Sequence, residues 1–224
     1  MNRLTLLAAG ALTALALAAL PALASAGEYE AHCEGAAECV GEITGTPVEM
    51  EWSNGEKFLC NEAKGNTSFT TTTTTGTANV VLTGCREVNT AFQFPCSSPG
   101  AASGEIRANN LLYHFVNLEH DGTTPGLAFT AIELTYGCFP GSRTTTGALI
   151  GHIEVPSNTC NTAVATHSVA FERSAFAGVQ KFSKVTTTGT SLDLIANLQG
   201  QPYYTTSLTT TWIIHWDHSV RITC

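Results

Sequence analysis

The sequence predicts an all-β protein, an antiparallel β-sandwich or barrel braced by disulfides, and three observations carry that prediction. Short runs that alternate apolar and polar residues recur along the chain, separated by Gly, Pro and Asn. Threonine, whose branched β-carbon favours extended backbone, occurs 34 times against 28 Asp, Glu, Lys and Arg together. Eight cysteines, an even number, all follow residue 26. The same composition excludes other classes. A charged content of 12% is too low for a coiled coil, and with 43% hydrophobic residues the chain does not fit the disordered signature. Twenty glycines without a triplet period exclude collagen. A net charge of -8 disfavours nucleic acid as a partner, because phosphate contacts require clustered Lys and Arg.

Residues 1–26 read as a secretory signal peptide. Arg3 supplies a positive start, an uncharged Leu/Ala run follows, Pro21 breaks it, and Ala24-Ser25-Ala26 offers a small-x-small cleavage pattern. Residues 27–224 are then expected to form one secreted β domain, with no membrane span once the signal is removed. A chain of that length buries about 70% of its unfolded surface, so the cysteines reinforce a core and do not replace it. Residues 27–46 read as an acidic leading segment. Between Glu28 and Glu62 there are nine acidic residues and one base, Lys57, which suits a solvated region.

The strand prediction is sharpest at residues 47–60. Two alternating runs flank Asn54-Gly55, a pair that accepts the positive φ angles of a tight hairpin turn. A two-residue loop pairs Ser53 with Glu56 and Trp52 with Lys57. That register puts Val48, Met50, Trp52 and Leu59 on the core face, with Phe58 and Cys60 opposite. Further strands are expected at 77–83, at 104–108 and 111–118 about a turn at Asn109-Asn110, then at 127–136, 148–155, 168–173, 191–198 and 203–216. The last is long enough to bend or to serve two sheets. The threonine run at 70–75 reads as an exposed edge strand.

In an exported chain the cysteines imply four disulfides, and the absence of any C-x2-C pair argues against zinc. Eight cysteines allow 105 connectivities. Local position favours Cys33–Cys39 across a short loop, Cys85–Cys96 across a hairpin connection, Cys60–Cys138 between strand-like runs, and Cys160–Cys224.

Leu82-Thr-Gly-Cys-Arg, Pro95-Cys-Ser-Ser-Pro-Gly and Gly104-Glu-Ile-Arg before a Leu-rich run form a Gly-Cys…Cys-Ser-x-Pro-Gly…Gly-x-Ile pattern. It resembles a group of secreted, cysteine-containing, β-rich proteins of high-GC Gram-positive bacteria, over about a third of the exported chain. The resemblance implies bacterial export and an all-β fold, and brings no activity or site residues with it.

No catalytic residues and no cofactor are expected. A G-x-S-x-G elbow is absent, and a Ser-His-Asp triad is a spatial arrangement that linear order does not assemble. In His215-Trp216-Asp217-His218 a strand places His215 and Asp217 on one face, which alone is too few ligands for a metal. Aromatic side chains offer the more concrete expectation. Trp212, Trp216, Tyr203 and Tyr204 can stack on sugar rings while His215 and Asp217 supply hydrogen bonds, against the competing role of the tryptophans as core. The expectation is a non-catalytic binding or structural protein outside the cell, recognising a glycan or surface polymer, with a secreted hydrolase as the alternative.

Overall fold

The computed structural model describes residues 29–45, 47–88, 93–118, 124–138, 141–154, 161–181, 194–198 and 203–223. Fourteen strands run in chain order: β1 (Glu30–Cys33), β2 (Glu38–Gly45), β3 (Val48–Trp52), β4 (Lys57–Cys60), β5 (Glu62–Thr70), β6 (Thr75–Thr83) and β7 (Arg86–Glu87), then β8 (Cys96–Ser97), β9 (Ile106–Asn117), β10 (Pro125–Cys138), β11 (Gly141–Glu154), β12 (Val164–Phe171), β13 (Leu194–Leu198) and β14 (Tyr203–Thr223). No helix occurs among the described residues.

The pairings resolve the architecture as a barrel. Several short strands are segments of one longer stave: β3 continues the register of β2 against a second stave made of β4 and β5. That stave pairs with a third made of β6 and β7. Next come β8 with β9, then β10, β11, and a seventh stave made of β12 and β13. The eighth, β14, pairs with β12 and β13 on one edge and with β1, β2 and β3 on the other. Eight staves thus close antiparallel and in sequence order into an up-and-down barrel. The acidic leading segment is therefore part of the wall. In β2, Cys39, Gly41 and Ile43 are buried while Glu38, Val40 and Glu42 face out.

The Asn54-Gly55 hairpin forms with a register one residue away from the expected one. Trp52 pairs with Glu56, and Gly55, at φ 84°, closes a three-residue loop. A one-residue slip exchanges the faces of a strand. Phe58 and Cys60 accordingly join Val48, Met50 and Trp52 inside, and Leu59 turns outward. The Asn109-Asn110 turn does not form. β9 runs straight through it with a bulge, Asn110 taking φ 54°. The threonine run is also no edge strand, since Thr70 ends β5, Thr75 begins β6, and the residues between make their turn.

Among the described residues three disulfides form: Cys33–Cys39, Cys60–Cys85 and Cys96–Cys138. The first is as expected. The expected Cys60–Cys138 and Cys85–Cys96 pairs are replaced, because the registers set other partners face to face. Cys96 lies opposite Cys138, with Cα atoms 4.3 Å apart, and Cys60 lies across from Cys85 at 3.9 Å. Cys85 and Cys96 are still neighbours, but through a backbone hydrogen bond of 2.9 Å from the Cys96 N–H to the Cys85 carbonyl. Cys160 and Cys224 lie outside the described residues.

Candidate functional site

Inward positions on the eight staves fill the barrel in layers. Toward one end Phe69, Phe115 and Trp216 pack edge to face, with centroids 5.2 to 5.5 Å apart. Below them come Tyr113, Phe129, Phe171 and Trp212, the last two 4.6 Å apart. Small residues make room for large ones. Gly41 and Gly45 on β2 lie opposite Trp216 and Trp212, and a β-carbon at either glycine would fall within 2.7 Å of the indole facing it. This complementarity decides the fate of the expected aromatic site. Trp212 and Trp216 are 3% and 8% exposed and belong to the core, so they form no sugar-stacking groove.

The remaining expected ligand residues do not gather around them. Tyr204 is half-buried against the core, and the side chain of Tyr203 lies outside the described set. His215 and Asp217 do share the outer face, as strand alternation requires, but each is tied to a neighbouring stave. His215 Nδ1 lies 3.1 Å from the Thr166 hydroxyl, and Asp217 accepts the Val40 N–H at 2.9 Å. Their role is to lace β14 to β12 and β2. Among the described residues no three His, Cys, Asp or Glu side chains converge as metal ligands.

Three features escaped the sequence reading. The first is His167, buried on the inward face of β12, where its Nδ1 accepts the Trp216 indole N–H at 3.0 Å. Burial lowers its pKa from 6.5 to about 4, so the folded protein holds it neutral with the proton on Nε2. An unfolded chain protonates this histidine below about pH 6.5, whereas the folded one resists until about pH 4. Stability contributed by the neutral form is therefore complete above that window and is lost as pH falls through it, by about 3 kcal/mol. Denaturation midpoints measured from pH 7.5 to 4 should fall steeply for the wild type and less steeply for His167→Gln. Equal slopes would assign the acid sensitivity elsewhere.

The second feature is a charged cluster at the opposite end. Arg143, only 5% exposed, points inward from β11 and stacks on the Trp52 ring at 4.7 Å. Its Nη2 donates to Glu87 at 3.0 Å and to Glu56 at 3.1 Å. Among the described residues Arg143 Nε and Nη1 and Glu87 Oε2 have no hydrogen-bond partner, so the cluster is only partly satisfied there. Trp52, Phe58 and Tyr136 pack beside it and close this end. Between the two aromatic layers lies a small, partly open apolar pocket of about 50 Å³, lined among others by Met50, Leu134, Leu149, Leu208 and Trp212.

The third feature is a strap. After Phe171, residues 172–181 fold back as a hairpin bridged at Arg173 and Gln180. Arg173 reaches over β14 to pair with the buried Glu51 on β3. Lys181 pairs with Glu172 at 2.7 Å at the base. Gln180 is buried against β11. Its Oε1 accepts the Ile150 N–H at 3.2 Å and its Nε2 donates to the Ala148 carbonyl at 2.9 Å, so a side-chain amide replaces a peptide in the ladder.

Fold and geometry together define an up-and-down, disulfide-stapled antiparallel barrel with a filled interior. No protein-family model, curated protein or solved structure matches the chain. Among the described residues, no helix is long and apolar enough to cross a membrane.

Proposed function

We propose that the chain is an exported, non-catalytic barrel that serves outside the cytoplasm as a binding or structural domain. Its contact surface toward a glycan or surface polymer is the outer wall of the first four staves. The observation that carries this reading is the makeup of that wall. Cross-strand register aligns Val40, Ser68, Thr77 and Leu112 in one row, with Val40 and Leu112 exposed by 46% and 40%. In the next row Asn79 donates to Asn66 at 3.2 Å and accepts the Asn110 N–H at 2.8 Å. Small hydroxyls and amides between modest apolar side chains, with the exposed Glu42 beside Asn66, offer directional donors and acceptors, which suits a polyhydroxylated ligand. Disulfides form and persist in oxidising compartments, which supports export.

Retention of the oxidised protein on insoluble cell-wall material and polysaccharides tests the reading. The wild type should be retained, and the Ser68→Lys/Thr77→Lys variant should lose at least about tenfold, since two ammonium groups must then be desolvated. Wild-type retention at background would overturn the proposal, and turnover in a broad hydrolase screen would overturn its non-catalytic part.

A further inference from the structure

We infer that Thr72 is a nucleophilic acyl acceptor, a covalent modification site that takes one acyl group from an activated carboxylic ester, with His32 as its general base. Such a site is compatible with a non-catalytic barrel, because it reacts once and does not turn over. Thr72 Oγ1 lies 3.3 Å from His32 Nδ1, and His32 Nε2 lies 3.6 Å from a Glu30 carboxylate oxygen. A hydroxyl beside a base that a third group orients is the arrangement that activates a nucleophile, and it is commonly loose before a substrate binds. The carboxylate favours the imidazole tautomer with its proton on Nε2, which leaves Nδ1 to accept the Thr72 proton. Thr72 is exposed and the His32 side chain is 21% exposed, so a reagent reaches both.

The backbone singles out the same residue. Thr72 takes φ 55°, a left-handed conformation that a β-branched residue adopts only under constraint and that glycine adopts freely. Constraint comes from both sides of the turn. The Thr71 N–H donates to the Ala37 carbonyl at 2.9 Å, and Thr73 exchanges two backbone hydrogen bonds with Ala31. Thr71 and Thr73 turn their hydroxyls to the Cys33 carbonyl and to Thr75, whereas Thr72 presents its own to an imidazole. In the reaction, His32 Nδ1 takes the hydroxyl proton as Oγ1 bonds to the acyl carbon. The bond from that carbon to the leaving oxygen breaks, and the proton passes from Nδ1 to the leaving oxygen, so neither oxidant nor reductant is needed. Glu30 is a positioning residue that stabilises the imidazolium between the two steps. The N–H groups of Thr71 and Thr73 are already committed, so these flanking amides lend the tetrahedral intermediate no oxyanion stabilisation. An activated ester reacts without that help, and the unactivated threonine ester it leaves behind persists.

The test exposes the oxidised protein to 4-nitrophenyl acetate and follows intact mass, peptide maps and nitrophenol release. The wild type should gain one acetyl group on Thr72 that hydroxylamine removes, which separates the ester from acetylated lysine. Thr72→Ser should keep this label and Thr72→Val should lose it. Thr72→Gly relieves the positive φ, so it should keep the wild-type thermal midpoint or exceed it while losing the label. His32→Gln should slow labelling at least about tenfold. Glu30→Gln should slow it about threefold, with Glu30→Asp restoring part of the rate, both at an unchanged thermal midpoint. A hydroxylamine-sensitive label that is absent from Thr72, spread evenly over the threonines of the turn, or formed as fast in His32→Gln would overturn the proposal. Continued nitrophenol release that Thr72→Val abolishes would overturn the one-time character of the site. Polymer retention plays no part in these readouts, so failure here is distinguishable from failure of the polymer-binding proposal.

Discussion

Arg143→Met is expected to destabilise the barrel by about 3–5 kcal/mol, because it strands the Glu87 carboxylate in a buried site. Arg143 and Glu87 are each about 5% exposed, and Arg143 also covers the face of Trp52. The stack adds a dispersion and cation–π contribution of about 1 kcal/mol, which methionine replaces only in part. Removing both charges reverses most of the loss. In Arg143→Met/Glu87→Leu the unpartnered Nε, Nη1 and Oε2 atoms no longer have to be kept from water, and the double variant should recover more than half of the single variant's deficit. Urea unfolding of the two variants beside the wild type decides the matter. If the double variant is as unstable as the single one, the arginine acts through packing on Trp52 and not through charge.

Loss of the Cys96–Cys138 disulfide is the second large expected effect. The bond closes a loop with a sequence separation of 42 residues, for which chain entropy gives about 4 kcal/mol. Cys60–Cys85, with a separation of 25, gives about 3.5 kcal/mol on the same basis. Cys33–Cys39 spans only six residues and should matter least. Serine pairs at each disulfide, compared by thermal unfolding under non-reducing conditions, should rank in that order. The strand registers sharpen the expectation. Cys60, Cys85, Cys96 and Cys138 lie side by side on four successive staves, joined in turn by a disulfide, a backbone hydrogen bond and a second disulfide. Loss of either outer link frees one side of a continuous staple at one end of the barrel, so loss of both should exceed the sum of the two separate losses.

The sequence carried the fold class and much of the strand pattern, because alternation and threonine content are local properties. Val80 and Leu82 inside, Thr77 and Thr83 outside, are legible from the seven residues 77–83. Registers were harder to read. Asn54-Gly55 announced a turn, but whether the loop holds two or three residues depends on whether Gly55 alone takes positive φ, and that choice moved Phe58 and Cys60 into the core. The candidate site failed for a related reason. An indole faces a ligand or a core according to what lies across from it, and Gly41 and Gly45 are more than 160 residues from Trp212 and Trp216. Disulfide partners, the Gln180 contacts with β11 and the Arg143 cluster likewise depend on which staves become neighbours. His167 and Gln180 have no local signal that separates them from any other polar residue on a strand or loop.

The closing seam of the barrel has a consequence for when this chain can fold. β14 completes the wall by joining Glu30 to Thr223 and Trp52 to Thr206, contacts between the two extremes of the described chain. Until those last residues are present, the first and seventh staves are bare edges, and the pairings that bury the tryptophan layers have no partner. The two staple disulfides, by contrast, join staves already adjacent in sequence and can form in a partial chain. Such a molecule stays open and threadable while its end is still behind, holds the links it has made, and becomes a sealed body only when the final strand arrives.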